Sequence, residues 1–264
     1  MPLRSALDAL ASIAVPAPCR LCGLNVLLRA SRIPVCDDCL TGFRRIEPPL
    51  CQICGRPFVS QLAGPNPLCR LCRNNFFAFD LARSYAIYDS HLVDAIMLLK
   101  YEEVASLGDW FADRLIETLA KMLADQKPDV IIPAPLFRDR LRERGYNQAE
   151  LIARPLAKRL KIKLLPNALL RVKPRPPQLL LSRAERWKIV RGAYATNPAL
   201  RVDKSRVLLL DDVMTTGATL DSCARALKKA GAAAVLGLTV ARMVPGFQAP
   251  VSPVFKGVEE TKRD

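Results

Sequence analysis

The chain has 264 residues, half of them hydrophobic and a quarter charged, a globular composition with room for one sizeable core and an additional module. Forty basic against 25 acidic side chains give +15, which favours an acidic partner such as nucleic acid; counting eight cysteine thiolates and two Zn²⁺ leaves about +11. No run reaches the roughly 18 consecutive apolar residues of a membrane span. His91 is the single histidine, which leaves little room for Ser-His or Cys-His catalysis.

The first 18 residues carry Arg4 and an apolar stretch, as a signal peptide would. Asp8 interrupts that stretch, and Leu3, Leu7, Leu10 and Ala14 follow helical spacing, so a short packing helix and a cytoplasmic protein are expected. Eight of the nine cysteines then form four C-x-x-C pairs: Cys19/Cys22, Cys36/Cys39, Cys51/Cys54 and Cys69/Cys72. The first pair of each half is followed by glycine (Gly23, Gly55), as the left-handed turn of a zinc knuckle requires. The second pairs follow after 13 and 14 intervening residues, an internal repeat of about 32 residues. Sequential pairing is expected, with 19/22/36/39 and 51/54/69/72 forming two zinc ribbons. Four thiolates per ion leave no open position, so both sites would be structural; interleaved pairing and a redox role for one pair are the alternatives. Cys223, inside a helical pattern, reads as a small buried hydrophobe.

The aromatic segment 74–80, with Phe76, Phe77 and Phe79, reads as a hinge between an N-terminal module, residues 1–78, and a larger domain, residues 79–244. That domain opens with a strand over 81–88 and helices over 90–100 and 107–123, the latter stopped at Lys127-Pro128. Asp129 to Pro133 is a second strand, whose exit Ala134-Pro135-Leu136 precedes Arg138, Arg140, Arg142 and Arg144. Cations beside a strand end suit diphosphate, and a solvated helix face with Asp139 and Glu143 as partners is the alternative. Gly145 separates this stretch from a helix over 147–160. The basic, proline-rich run 171–177, with Lys173 and Arg175, reads as an extended loop.

Val207 to Leu210, followed at once by Asp211 and Asp212, reads as a buried strand carrying charge at its carboxyl end, where open α/β sheets bind ligands. Thr215-Thr216-Gly217-Ala218-Thr219 then leads into the helical pattern Leu220, Cys223, Ala224, Leu227, so amides and hydroxyls surround a helix N-terminus. A phosphate cradle beside an acidic pair suits a ligand with a terminal phosphate plus a diol or a metal. A Walker B strand is the competing identity, but no G-x-x-x-x-G-K-[ST] partner exists. Ala233 to Ala241 supplies a further strand, and residues 245–264 read as a mobile tail. Alternating strands and helices define an α/β domain with a mainly parallel sheet.

The run 207–219 resembles the phosphoribosyl diphosphate (PRPP) motif of type I phosphoribosyltransferases, an α/β fold with helices on both faces of the sheet. The resemblance implies that Asp211 and Asp212 hold the ribose hydroxyls, with both in the catalytic centre, and that Thr215, Thr216, Gly217, Ala218 and Thr219 hold the 5′-phosphate. It makes 171–177 the loop that closes over PRPP. Ala134, Pro135, Leu136, Arg138, Lys173 and Arg175 would then meet the diphosphate, which arrives with Mg²⁺. Pro133 to Leu136, Arg144-Gly145-Tyr146-Asn147-Gln148-Ala149, Gln178-x-x-Leu181 and Arg186 to Tyr194 narrow the resemblance to the ComF family of competence-associated phosphoribosyltransferase-like proteins, which also carry an N-terminal double zinc ribbon. The chain departs from that pattern at Glu102-Glu103, Phe137 and Ile189. The family implies a role in natural transformation and DNA utilisation. Two functions follow: Mg²⁺-dependent phosphoribosyl transfer with diphosphate release, or a non-catalytic single-stranded DNA-binding competence factor regulated by PRPP and working with DNA-processing proteins. The second would use the arginines of 138–144 and 183–191 with Trp187 and Tyr146 as stacking platforms.

Overall fold

The computed structural model of the chain describes residues 17–26, 33–58, 64–102, 104–122, 127–174 and 183–246. The expected packing helix through Leu3, Leu7, Leu10 and Ala14, residues Arg175, Gln178 and Leu181, and the tail from Phe247 onward lie outside the described residues.

In chain order the elements are β1 (Ala17–Pro18), β2 (Asn25–Val26), α1 (Asp37–Thr41), α2 (Arg70–Arg73), β3 (Leu81–Ile87), α3 (Ser90–Tyr101), α4 (Ala105–Met122) and β4 (Val130–Pro133). They continue with α5 (Arg138–Arg144), α6 (Gln148–Leu160), β5 (Lys163–Leu164), β6 (Leu169–Arg171), α7 (Arg183–Val190), β7 (Tyr194–Thr196), β8 (Arg206–Met214), α8 (Ala218–Lys229) and β9 (Ala234–Arg242). Five strands form one sheet in the order β3-β9-β8-β4-β5, and every pairing in it is parallel.

The unbroken apolar run of β8 is explained by its position. It is hydrogen-bonded to β9 and β4, and both sheet faces are covered, so alternate side chains enter different cores. Leu208 and Leu210, with Leu236, Leu238 and Val240 of β9, pack on Leu92, Ile96 and Leu99 of α3, Phe111 and Leu115 of α4, and Ile152 and Leu156 of α6. Val207, Leu209 and Val235 pack on Leu220, Cys223, Ala224 and Leu227 of α8. Cys223 is fully buried there, as its place in the helical pattern predicts.

Helices α4 and α6 cross at close range. A Cβ at Gly108 would lie 2.9 Å from the carbonyl oxygen of Leu151. That carbonyl belongs to the residue four before Pro155, whose ring nitrogen has no N–H to donate, so α6 has an unfilled acceptor where α4 has no side chain.

The sheet differs from the sequence expectation in three places. β8 runs through Asp211 and Asp212 to Met214, because β9 continues alongside it and pairs Asp211 with Thr239 and Met214 with Arg242. Arg171, expected in the loop, ends β6, which pairs antiparallel with β7 from Leu169↔Thr196 to Arg171↔Tyr194. The two-residue edge strand β5 was not anticipated; two residues carry no readable period.

The cysteine-bearing segment lies against this sheet. Strand β3 would be an open edge, but Ile46 N donates to Tyr85 O (3.1 Å), Ile87 N to Arg44 O (2.8 Å) and Ala82 N to Ile53 O (2.7 Å). The first tetrad shares the core of α3 and α4, and the second shares that of α8.

Candidate functional site

Two sets of four cysteines converge, 19/22/36/39 and 51/54/69/72, with the four sulfurs of each set within 4.8 Å of one another. The Sγ–Sγ distances are 3.9 Å for Cys19–Cys39, 3.7 Å for Cys22–Cys36 and 3.7 Å for Cys54–Cys69. A tetrahedron of thiolates at Zn–S of about 2.3 Å has edges of about 3.8 Å, so the donor sets fit zinc. Gly23 and Gly55 take φ of +76° and +67°, the left-handed turn that lets backbone amides reach sulfur. Cys36 N approaches Cys19 Sγ at 3.3 Å, and Cys69 N approaches Cys51 Sγ at 3.4 Å. The Cys54 side chain, chiefly, holds the Cys51 thiol down to about 4, against the opposing effect of burial. The sequential grouping read from the spacing is the one the fold brings together.

The phosphate-cradle segment forms a tight turn between β8 and α8. Gly217 adopts φ +82° as the residue preceding α8, and Thr216 Oγ1 accepts from Ala218 N at 3.3 Å. Thr215 is exposed, Thr216 and Thr219 are half-buried, and Ala218 is buried. A Cβ at Gly217 would meet Met214 Cε and Phe77 Cε1, each at 2.9 Å, so glycine is required by space as well as by backbone angle. The amides of the first helical turn lack intrahelical acceptors and face the same end of the sheet as the two aspartates.

Asp211 and Asp212 are both buried, and their environments separate them. Lys100, at the end of α3, places Nζ 2.5 Å from Asp212 Oδ2. Burial raises the Asp212 carboxyl, but the Lys100 cation outweighs it and holds the group below the usual carboxylate range. Burial, then the neighbouring Asp212 charge, pushes Asp211 well above that range. Burial likewise opposes the Lys100 ammonium, and the Asp212 charge more than offsets it. The two carboxyls are therefore driven in opposite directions, Asp212 toward its anion by the lysine beside it and Asp211 toward its protonated form. A carboxyl and a carboxylate side by side would offer one donor and several acceptors to a diol. Lys100 was given no role in the sequence reading. A readable signal existed: Leu92, Ile96 and Lys100 follow at intervals of four on the face α3 buries.

The β4 exit lies beside this pair, because Pro133 pairs with Leu210 and Ala134 N donates to Leu210 O at 2.7 Å. Asn147, the residue preceding α6, donates from Nδ2 to Ala134 O (3.0 Å) while its Oδ1 accepts from Ala149 N (3.0 Å). Both backbone groups of Ala134 are thus committed, and Pro135 has no amide, so of the three expected residues the Leu136 N–H alone is left to offer a diphosphate. Arg138 is exposed on α5, a helix that buries no residue. Lys173 donates to Arg191 O at 3.3 Å. Among the described residues no hydrogen bond or ion pair joins either cation to residues 211–219.

Residues 147–245 match the phosphoribosyl transferase domain family. The acidic pair, the turn over 215–219 and the strand β8 that leads to them fall inside that match, and the domain has a phosphoribosyltransferase fold. Within that class, the resemblance to the ComF family is borne out by relatives along most of the chain. Competence protein F of Haemophilus influenzae is 40% identical over 109 residues, 39% of this chain and 46% of that protein. The first of these matches thus spans about half of the relative's own length. The DNA utilization protein YhgH of Salmonella typhimurium is 28% identical over 226 residues, 84% of this chain and 96% of that protein. Competence protein ComFC of Bacillus subtilis is 29% identical over 216 residues, 79% of this chain and 84% of that protein.

Proposed function

We propose that the chain binds PRPP at the carboxyl end of β8 and acts in DNA uptake or utilisation, a reading supported by relatives named for competence and for DNA utilization. The observation that carries the reading is the juxtaposition of a buried carboxylate pair, held by Lys100, with a helix N-terminus that opens on Gly217, all within one strand-turn-helix. In it, residues 215–219 hold the 5′-phosphate, Asp211 and Asp212 take the ribose hydroxyls, and the diphosphate lies toward Leu136, with Arg138, Lys173 and Arg175 as candidates to approach it. Mg²⁺ bound with PRPP would neutralise charge on the leaving diphosphate. Transfer breaks the C1–O bond, sends the electron pair to diphosphate, and joins C1 to a nucleophilic acceptor that loses a proton. A leaving group this good needs little acid help, and with no base assigned among the site residues the acceptor's proton passes to solvent. The zinc ribbons, residues 1–78, and the domain over 79–244 form the working division of the chain, with zinc structural at both tetrads.

Thr215 supplies the cleaner test, because Thr216 serves the local turn and Thr219 shares a hydrogen bond with Tyr194. Thr215→Val and Thr219→Val should each weaken PRPP binding by about 1.5–3 kcal/mol through a lost charge-assisted hydrogen bond, Thr215→Val with an unchanged unfolding curve. Calorimetric titration with Mg²⁺-PRPP reads the affinity, and affinity at the parent value in both variants would remove the cradle assignment. Diphosphate release in the same sample separates a transferase from a binder.

A second reading has its own observation. Helix α5 exposes Arg138, Arg140 and Arg142 and buries nothing, as a helix laid on a phosphate backbone does. In this reading the chain is a single-stranded DNA-binding competence factor for which PRPP is a regulator.

A further inference from the structure

Two features of the second cysteine tetrad are used neither by metal binding nor by the phosphate cradle. The first is Arg242, the last residue of β9 and a buried cation, 7% exposed. Its Nη1 donates to the Cys54 carbonyl at 2.5 Å and lies 2.9 Å from Met214 Sδ, while its Nη2 lies 3.5 Å from Cys54 Sγ. One planar guanidinium thus touches a metal-ligating residue on one side and the residue that opens the phosphate turn on the other. Met214 in turn fills the space that a side chain at Gly217 would need.

The second feature is the chain leaving Cys72. Phe77 meets the same point of Gly217 as Met214 does, and Ala78 N donates to Asp221 Oδ1 (2.7 Å) in the first turn of α8. Arg225 of the same helix binds Asp221 and reaches Phe76 O at 3.2 Å. The second tetrad is therefore fastened to the turn before Gly217 through Arg242 and Met214, and to the helix after it through residues 76–78.

Charge supports the same arrangement. A zinc ion held by four thiolates carries a net charge of −2. Arg242 and the half-buried Arg83, whose guanidinium donates to Gln52 O (3.0 Å) and Ile53 O (3.3 Å), flank that centre with two positive charges. Among the described residues, no side chain joins the first tetrad directly to residues 214–217. That tetrad lies on the opposite face of the sheet, with α3 and α4, and its nearby cation, Arg20, pairs with Glu102.

We infer that Arg242 is a positioning residue that couples metal at the second tetrad to the shape of the phosphate turn, through the path Cys54, Arg242, Met214, Gly217. Zinc at Cys51/Cys54/Cys69/Cys72 stiffens the turn that receives phosphate, and phosphate in the turn tightens the hold on that zinc, because coupling between two sites is reciprocal. Zinc at Cys19/Cys22/Cys36/Cys39 is independent of the turn. The inference rests on the PRPP reading proposed above and on zinc occupying both tetrads.

The test is an equilibrium titration of the full zinc-loaded chain with a chromogenic chelator, with and without saturating Mg²⁺-PRPP, after calorimetry on the same sample. The expected result is that PRPP raises the chelator concentration needed to strip one of the two ions by at least about fivefold, the lower end of ordinary coupling, and leaves the other unchanged. Cys22→Ser, which weakens the first tetrad at its exposed ligand, should retain the protected ion. Arg242→Met should abolish the shift. Should Arg242→Met fail to fold, Met214→Leu, which keeps volume and removes the sulfur, should reduce it. PRPP binding with no shift, with equal shifts of both ions, or with a shift undiminished in Met214→Leu overturns the inference and leaves the PRPP reading standing. Absence of PRPP binding in the calorimetry removes the PRPP reading itself.

Discussion

The pairing of Lys100 with Asp212 decides how much charge the site holds before any ligand arrives. Two adjacent buried carboxylates cannot both ionise without a cation, and the groups facing Asp212 are Asp211 on its own strand, Tyr88 beyond β3 and Lys100 from α3. Replacing Lys100 with methionine removes the only cation among them. Breaking a buried pair in this way costs roughly 3–5 kcal/mol at neutral pH. The pH dependence has a definite sign. In the parent, the depressed Asp212 contributes stability that is present above its ordinary value of 3.8 and lost as pH falls through its folded value. In Lys100→Met the same carboxyl is raised, so its contribution is complete below 3.8 and lost as pH rises. The deficit of the variant should therefore be largest at pH 7 and shrink toward pH 4. Urea unfolding of both proteins at the two pH values measures it, and a deficit independent of pH would remove the charge-balancing role. Lys100→Arg should recover most of the pH 7 stability.

Among the elements, the crossing of α4 and α6 is the contact least tolerant of added atoms, because backbone meets backbone there. Gly108→Val would place a branched side chain within 2.9 Å of Leu151 O, and overpacking of this kind costs about 1–3 kcal/mol. Thermal unfolding should register it as a fall in Tm, while the zinc content stays at the parent value because neither tetrad touches this crossing. Gly108→Ala should cost less, and equal stability in both variants would show that the helices separate freely. This crossing also marks where sequence reading stops. The 3.6-residue period of α4, the apolar run of β8 and the C-x-x-C pairs each report one element facing one environment, and all were legible. Which helices meet, and where, depends on the sheet order β3-β9-β8-β4-β5, in which the pairings of β3 with β9 and β8 with β4 join strands far apart in the chain. Lys100, Asn147 and Arg242 acquire their partners through that order. Asp211, Asp212 and residues 215–219 needed no such knowledge, since strand, turn and helix are contiguous, and that is why this strand-turn-helix was readable, whereas the spacing of Lys100 places it on the buried face of α3 without naming its partner.

At the scale of the whole molecule the cysteine-bearing segment completes the sheet. Backbone groups of Tyr85, Ile87 and Ala82 on the outer side of β3 are satisfied by Ile46, Arg44 and Ile53, residues that lie between or within the cysteine pairs. An uncovered edge strand is a template for pairing with another chain. With zinc at the proposed tetrads, removing it would take away the constraint that holds residues 44–53 in place and so uncover β3. Cysteines 51, 54, 69 and 72 are themselves buried with Phe79 and Met214, so metal loss also leaves thiol-lined gaps in the core of α8. Chelation should then do more than unfold a terminal appendage. The Tm of the whole chain should fall by about 10 °C or more, a few kcal/mol at 2–4 °C per kcal/mol for a domain of this size. Light scattering should rise at temperatures where the zinc-loaded protein stays clear. An unchanged main transition, with only a small early one added, would mean that the ribbons fold beside the sheet and contribute nothing to it. Adding zinc back before heating should restore both the Tm and the clear solution, which separates metal loss from damage by the chelator.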